Sequence, residues 1–224
     1  MNREKIKRGF NFIAPYYDFC SNLIFGKSIL SAQSLYFNSV KESHSILILG
    51  GGTGKILLPL AKEANFKSLT FLDISPGMID KARHLCISNG LNAESKIEFM
   101  EGSTEAIPKN KMYDAIITPF VLDCFSDENL EIVMRNLDQH LVPGGMWLFS
   151  DFHHFNSDGQ VSFFKRTAIK MLYLIFNLFC YIAVWELPHF KNAFNNLGLI
   201  EVEENYSVAG LIVTRTYQKP TSIR

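Results

Sequence analysis

Four glycines stand within five positions of the segment ILILGGGTGKILLPLA, residues 46–61. Gly50, Gly51, Gly52 and Gly54 follow an unbroken apolar run and precede a stretch with helical apolar spacing. A strand that turns through glycines into a helix points backbone N–H groups and the positive end of the helix at a ligand. The pattern predicts a site in which a small molecule lies against bare backbone, and a purely structural tight turn is the alternative.

The glycine spacing argues against two common ligand-binding turns. A Walker phosphate loop has GxxxxGK followed by Ser or Thr, but Gly54-Lys55 precedes Ile56, and Leu49 stands where the first glycine belongs. A dinucleotide fingerprint, GxGxxG, requires its last glycine at the position of Lys55. What remains is the shorter pattern GxGxG.

A carboxylate follows the next apolar run. Asp73 ends that run in LTFLDISPGM, about twenty residues beyond the glycines, where a carboxylate can accept hydrogen bonds from both hydroxyls of a ribose. A helix cap is the alternative role for Asp73, but Ser75 already occupies the cap position before Pro76.

Candidates for proton transfer follow the later apolar runs. Asp123 comes after the run at 113–118, and Asp151, His153 and His154 come after the run at 145–150. These side chains could act as a general base for a hydroxyl acceptor. The adjacent histidines lack a spaced third ligand, so no metal site is predicted.

The elements that must position these residues alternate between strand and helix. Dense apolar runs predict buried strands at 45–49, 68–72, 113–118 and 145–150. Helical spacing falls at 54–64, 76–89, 127–140 and 188–197. This alternation predicts a doubly wound, mostly parallel α/β sheet, and the C-terminal runs on either side of Ala209-Gly210 predict a closing antiparallel hairpin. Two helices separated near Gly26 are expected before the first strand.

The amino-acid composition argues against some classes of binding partner. The 224 residues carry 22 basic and 22 acidic side chains, so no overall field attracts nucleic acid. The four cysteines lie far apart and the N-terminus is charged, which favours a reduced, cytoplasmic location.

The GxGxG turn resembles motif I of the class I S-adenosylmethionine-dependent methyltransferases. Three later segments resemble family landmarks in the same order: IEFMEGSTEAIP (97–108), YDAIITPFVLDCF (113–125) and LDQHLVPGGMWLFSDF (137–152). The opening FNFIAPYYDFCSNLIFG (10–26) is similar to the N-terminal helix of the ubiquinone and menaquinone C-methyltransferase branch. The resemblance implies a seven-stranded sheet with N-terminal cap helices and S-adenosylmethionine as the cofactor.

The resemblance also implies which residues contact the cofactor. They lie on the N-terminal helix, in the glycine turn and after strands two to four: Tyr17, Asp18, Gly50, Gly51, Gly52, Gly54, Asp73, Ile74, Met78, Ser103, Thr104 and Thr118.

Two positions depart from the family pattern. Ile48 replaces the acidic residue that usually anchors the methionine ammonium, and Ser103 stands where relatives often carry Asp toward the adenine. Thr118, Asp18 or a backbone carbonyl would have to replace the lost acceptor.

An apolar insertion separates the last two core elements. We divide the chain into N-terminal cap helices (1–44) and a core (45–224) with a helical lid insertion at about 153–187. The run at 171–185 is interrupted only by Asn177 and must be buried against something. There are three possibilities for what covers it. The insertion could be a mobile lid over the acceptor, it could contact a second subunit in a homodimer, or it could make peripheral contact with a membrane surface through 160–187.

Together these features predict methyl transfer to a small, apolar or aromatic acceptor. A catalytically inactive cofactor-binding or scaffold protein of the same fold is the alternative, for which Ile48 and Ser103 argue. A nicotinamide oxidoreductase is disfavoured by Lys55.

Overall fold

The computed structural model describes residues 3–25, 28–91, 96–153 and 163–221. Two helices open the chain, α1 (Arg3–Phe25) and α2 (Ser28–Ser34), and the core contributes α3 (Leu57–Glu63), α4 (Pro76–Ser88) and α5 (Asp127–Gln139). The later helices are α6 (Phe163–Cys180) and α7 (Phe190–Asn196). Short 3-10 turns occur at Phe37–Val40, Thr104–Ala106 and Leu122–Cys124.

Within these residues seven strands form one sheet in the order β3-β2-β1-β4-β5-β7-β6. The strands are β1 (Ser45–Leu49), β2 (Ser68–Asp73), β3 (Ile97–Glu101), β4 (Tyr113–Pro119), β5 (Leu141–Phe152), β6 (Ile200–Ser207) and β7 (Ile212–Gln218). Strands β1 to β5 pair in parallel, whereas β7 runs antiparallel to both β5 and β6. The predicted fold class is confirmed, with β7 inside the sheet and β6 at its edge.

Helices cover both faces of the sheet. On one face, side chains of α3, α4 and the first 3-10 turn pack on β1, β2 and β4. On the other face, α5 and α7 pack on β1, β4, β5 and β7. Both faces of β1 and β4 are therefore buried, which explains their continuous apolar runs. The order of the strands reverses between β1 and β4, so ligands are expected at the carboxyl ends of these two strands.

The inserted helix α6 packs on the sheet and on α1. Ile169 and Tyr173 of α6 join a third apolar cluster with Phe152 of β5 and Ala32 of α2. Gly9 brings α1 against the end of α6, because a Cβ there would lie within 3.0 Å of backbone atoms of α6. The predicted division into cap helices and core stays a prediction, and the contacts show that the two parts share packed surfaces.

The chain turns back at the end of α6 through an asparagine. Asn177 donates from Nδ2 to the carbonyl of Val184 at 2.6 Å and accepts at Oδ1 from the N–H of Ala183 at 2.6 Å. Tyr181 and Ala183 have φ angles of 55° and 57°, a backbone region that such residues rarely adopt. The residue that interrupts the apolar run thus holds the turn that follows it.

Candidate functional site

The glycine turn connects β1 to α3 with three residues in left-handed conformation. Gly50, Gly52 and Gly54 have φ angles of 69°, 58° and 81°. The N–H of Gly50 donates to the carbonyl of Leu72 at 2.8 Å, which fixes the turn beside the end of β2. Glycine adopts these angles without the steric penalty of a Cβ, so the local backbone accounts for the residue type.

Neighbouring protein atoms also require glycine here. A Cβ at Gly50 would lie 2.6 Å from the Cβ of Val121, and one at Gly54 would lie 2.8 Å from the Cα of Ala82 in α4. At Gly51 it would collide with the ring of Phe71. This corrects the interpretation that bare backbone serves the ligand alone: packing excludes a side chain at three positions.

Asp73 lies at the end of β2 and faces this turn. Its carboxylate is 6% exposed and accepts from the N–H of Gly52 at 3.2 Å and from the N–H of Ser75 at 2.9 Å. Burial raises the pKa of Asp73 to about 6, against the opposing effect of these backbone N–H groups. Each carboxylate oxygen retains acceptor capacity, so the group can still receive hydroxyl donors such as those of a ribose. Ser75 caps α4 as predicted, accepting from the N–H of Met78 at 3.2 Å.

Asn11 of α1 reaches the same place and was not among the predicted residues. Its Oδ1 accepts from the hydroxyl of Ser75 at 2.6 Å and from the N–H of Gly77 at 3.0 Å. The first turn of α4 is therefore bounded by β2 on one side and by α1 on the other. The helical pattern of α1 carries no signal that singles out this asparagine.

The remaining predicted cofactor residues divide by position. Ile74 directly follows Asp73 and is half-buried, and Met78 is buried in the first turn of α4. Ser103 donates its hydroxyl to Glu105, and Thr104 is buried and accepts from Nδ2 of Asn136 at 3.3 Å. The side chains of Tyr17 and Asp18 lie outside the described part of the structure.

Thr118 and Ile48 face the interior. Thr118 is fully buried, and its hydroxyl accepts from the indole N–H of Trp147 at 3.0 Å. This contact argues against the predicted role of the hydroxyl in holding the ammonium, because the side chain is directed into the core. Ile48 is fully buried among the apolar residues beneath α3 and α4, so it offers nothing to an ammonium group.

Asp123 and Asp151 lie close together where β4 and β5 end. After β4 the chain turns sharply at Phe120, whose φ is 54°, and the following 3-10 turn brings the N–H of Asp123 to Oδ2 of Asp151 at 3.1 Å. Asp151 also accepts at Oδ1 from the N–H of Phe152 at 2.9 Å. Both carboxyl groups are buried, with exposures of 3% and 0%.

The surroundings of this carboxyl pair keep a proton on it. Burial raises the pKa of Asp123 to about 6, and burial followed by the charge of Asp123 raises the pKa of Asp151 well above its ordinary value. Cys124 approaches Oδ1 of Asp123 at 3.5 Å, and burial raises the pKa of its thiol. The Tyr173 hydroxyl of α6 donates to the carbonyl of Asp123 at 3.3 Å, so the inserted helix covers the pair.

His153, one of the two predicted histidines, stands apart from this pair. The N–H of His153 donates to the carbonyl of Leu211 at 2.7 Å, and its ring packs on Tyr206 of edge strand β6 at a centroid distance of 4.9 Å. The His153 side chain therefore lies on the side of the edge strand. His154 lies outside the described residues. Within the described ranges no group of three His, Cys, Asp or Glu side chains is arranged to hold a metal ion.

Comparisons with known proteins agree with this geometry. A family model described as a methyltransferase domain matches residues 46–145. A malonyl-[acyl-carrier protein] O-methyltransferase of Priestia megaterium is 27% identical over 152 residues, which are 68% of this chain and 53% of that protein. A ubiquinone biosynthesis O-methyltransferase of Rickettsia canadensis is 29% identical over 131 residues, which are 58% of this chain and 52% of that protein. The chain thus spans about half the length of these relatives.

Solved structures share the fold at low sequence identity. DhpI in complex with S-adenosylhomocysteine superimposes with a TM-score of 0.71 at 18% identity, over 98% of each chain. The N-methyltransferase NodS of Bradyrhizobium japonicum, also solved with S-adenosylhomocysteine, gives 0.62 at 18% identity over 88% of each chain. The glycine turn, the acid after β2, the strand order and the model matched over residues 46–145 together support a methyltransferase domain of the class I S-adenosylmethionine-dependent type in this part of the chain.

Proposed function

We propose that the protein transfers a methyl group from S-adenosylmethionine to a hydroxyl of a small, apolar or aromatic acceptor. The observation that carries this proposal is the buried carboxyl pair, Asp123 and Asp151, at the carboxyl ends of β4 and β5. The turn after β1 contacts the same loop, since Gly50 packs against Val121. Donor and acceptor sites would therefore adjoin.

The residues at the glycine turn fit the cofactor. Asp73 combines a buried carboxylate beside this turn with free acceptor capacity for the ribose hydroxyls. Main-chain carbonyls near Gly50 would receive the ammonium that Ile48 cannot hold. When bound, the cofactor supplies an electrophilic methyl group on a sulfonium whose leaving group departs neutral, so the chain contributes mainly alignment and exclusion of water.

The carboxyl pair would take the proton of the acceptor hydroxyl. A base is most effective when its pKa lies near the working pH, and burial moves the pKa of Asp123 to about 6. Tyr173 closes the site from the α6 side through its bond to the backbone of Asp123, and a dry site strengthens the attraction between the carboxylate and the hydroxyl proton.

A hydroxyl is favoured over a carboxylate as the acceptor. The relatives cited above are named O-methyltransferases, which supports oxygen as the acceptor atom, and the choice between the two oxygen groups depends on charge. A carboxylate acceptor would meet like charge on the pair in a site of low dielectric constant, which disfavours its binding. Phe120 and Phe152, whose rings meet edge to face at 5.2 Å, supply apolar surface at the same end of the sheet.

Titration calorimetry tests donor binding first. We expect binding of S-adenosylmethionine and S-adenosylhomocysteine and none of NAD. A chain that binds no methionine derivative would support the scaffold alternative, and one that binds only NAD would support an oxidoreductase.

Methyl transfer is then measured with a labelled donor, a panel of phenols and hydroxylated lipids, and a metabolite extract. Asp123→Asn should lower the rate constant by about 10²-fold or more while leaving donor affinity unchanged. Asp114→Asn is the matched control, because Asp114 bonds backbone N–H groups of His44 and Ser45 at the opposite end of β4. Full activity of Asp123→Asn on a hydroxyl acceptor would refute the role of the pair.

A further inference from the structure

The outer side of α6, the segment after it and α1 form a surface of large exposed apolar side chains. We call it the outer apolar face. Each of its members is at least 40% exposed, and they are Phe12, Met171, Leu174, Leu178, Phe179, Tyr181 and Trp185. A contiguous apolar surface of this kind marks an interaction site in a protein that folds around a separate core.

The members are contiguous rather than scattered. The rings of Phe12 and Phe179 stack at 6.1 Å with 14° between their planes, which joins α1 to α6. Beyond α6 the chain runs back alongside the helix, because Asn177 holds Val184 and Arg166 pairs with Glu186 at 2.8 Å. The stretch from 181 to 185 alternates between exposed and buried residues, so its aromatic side chains point outward beside α6.

Cationic side chains border the outer apolar face. Lys5, Arg8 and Lys170 are exposed on α1 and α6, and Arg166 is half-exposed beside Glu186. Among the described side chains of α1, α6 and 181–186, the carboxylates are Glu4 and Glu186. Cations thus outnumber anions around the apolar centre, although the whole chain has no net charge.

We propose that the outer apolar face docks on the surface of an anionic lipid bilayer, with α6 lying in the plane of the interface. An apolar helix face with aromatic residues and a cationic border is the composition of interfacial helices. A two-fold contact with a second copy is less favourable, because a self-complementary interface brings identical borders together and so opposes like charges. No helix of the described residues is long and apolar enough to cross a membrane.

Docking would bring the bilayer next to the acceptor site. The buried face of α6 carries Tyr173 onto the backbone of Asp123, and the exposed face of the same helix is the centre of the outer apolar face. One helix therefore separates the lipid surface from the carboxyl pair. The docking itself does not depend on the proposed reaction, and its test measures no methyl transfer.

Cosedimentation of the full chain with vesicles tests the proposal. The vesicles are pure phosphatidylcholine or an equimolar mixture of phosphatidylcholine and phosphatidylserine. We expect binding to the mixed vesicles that weakens with added salt, and little binding to pure phosphatidylcholine. The double substitution Leu174→Glu, Leu178→Glu should weaken binding by more than about tenfold, and Lys170→Ala by about fivefold.

The matched control places the same charges on exposed apolar residues elsewhere. Ile87 of α4 and Ile132 of α5 are 65% and 55% exposed, and their replacement by Glu should leave vesicle binding within about twofold of wild type if the face is specific. Binding that is lost equally in this control, or retained in the Leu174, Leu178 variant, would overturn the proposal. A wild-type protein that binds neither kind of vesicle would also overturn it. The same holds if light scattering shows that the wild type is a dimer and that the Leu174, Leu178 variant is a monomer.

Discussion

Replacing Asp123 with Asn should stabilise the protein at neutral pH while lowering the rate constant of methyl transfer by about 10²-fold or more. The carboxyl pair buries two acids in contact with Cys124 and Tyr173, neither of which is cationic. Ionising such a pair is opposed both by burial and by mutual repulsion. An amide at position 123 keeps the shape of the side chain and cannot ionise.

The magnitude follows from the pKa of Asp123, which rises from 3.8 to about 6 on folding. Because the folded-state pKa is raised, the native state binds the proton more tightly, and the free energy of unfolding falls as the pH rises from about 4 to about 6. A rise of about two units corresponds to about 3 kcal/mol. A buried amide N–H without a partner costs about 1–2 kcal/mol, so Asp123→Asn should gain about 1–2 kcal/mol net at neutral pH.

Urea unfolding at about pH 4 and about pH 8 measures this difference. At the lower pH the variant should be no more stable than wild type, since both then lack the charge. Asp151→Asn is the control within the pair, because Asp151 accepts backbone N–H groups at both oxygens and an amide can satisfy only one of them. A variant Asp123→Asn that is less stable than wild type at about pH 8 would refute the assignment of a strained pair.

Three further substitutions test the donor side and the packing of the inserted helix. Asp73→Ala should weaken binding of S-adenosylmethionine by about 1.5–3 kcal/mol in calorimetry, whereas Asp114→Ala, which also removes a carboxylate bonded to two backbone N–H groups, should leave affinity unchanged. Gly9→Ala should lower the unfolding free energy by about 1–2 kcal/mol, because overpacking against α6 exceeds the gain in helix propensity of about 1 kcal/mol. Gly77→Ala should be near neutral, because its added Cβ would lie 3.3 Å or more from its neighbours. Asn177→Ala should increase hydrogen exchange of the residues after α6 by removing three hydrogen bonds, and unchanged exchange there would show that the turn holds itself.

Most of the sheet could be predicted from the sequence because its central strands are buried on both faces. Strands β1, β2 and β4 agree with the predicted ranges to within one residue, and α4 and α5 begin at the predicted positions after Ser75 and Ser126. The prediction for β5 began too late, because Pro143 and Gly144 suggested a turn whereas the strand passes through them. Strand β3 has no fully buried residue, so it lacks the dense apolar run that identified the others.

The site could be predicted only where local sequence carries the signal. Asp73 ends the strand after the glycine turn, at the sequence spacing expected of a carboxylate that binds a ribose, and its position beside the turn agrees with the prediction. The contact between Asp123 and Asp151 connects the ends of two strands and depends on the left-handed turn at Phe120. Phenylalanine rarely adopts this conformation, so the sequence does not predict the turn. The contact of Asn11 with α4 likewise depends on how α1 lies across the core.

Helix α1 contacts both halves of the candidate site, so a single change in it is expected to affect the binding of either ligand. Asn11 holds the start of α4 beside Asp73, on the donor side. Two residues earlier, Gly9 fits against the end of α6, the helix that places Tyr173 over Asp123 on the acceptor side. Because Gly9 and Asn11 are two residues apart, a shift of α1 would move its contacts with α4 and α6 together. Stability data on Gly9 variants therefore separate packing from function only when donor affinity is measured on the same protein.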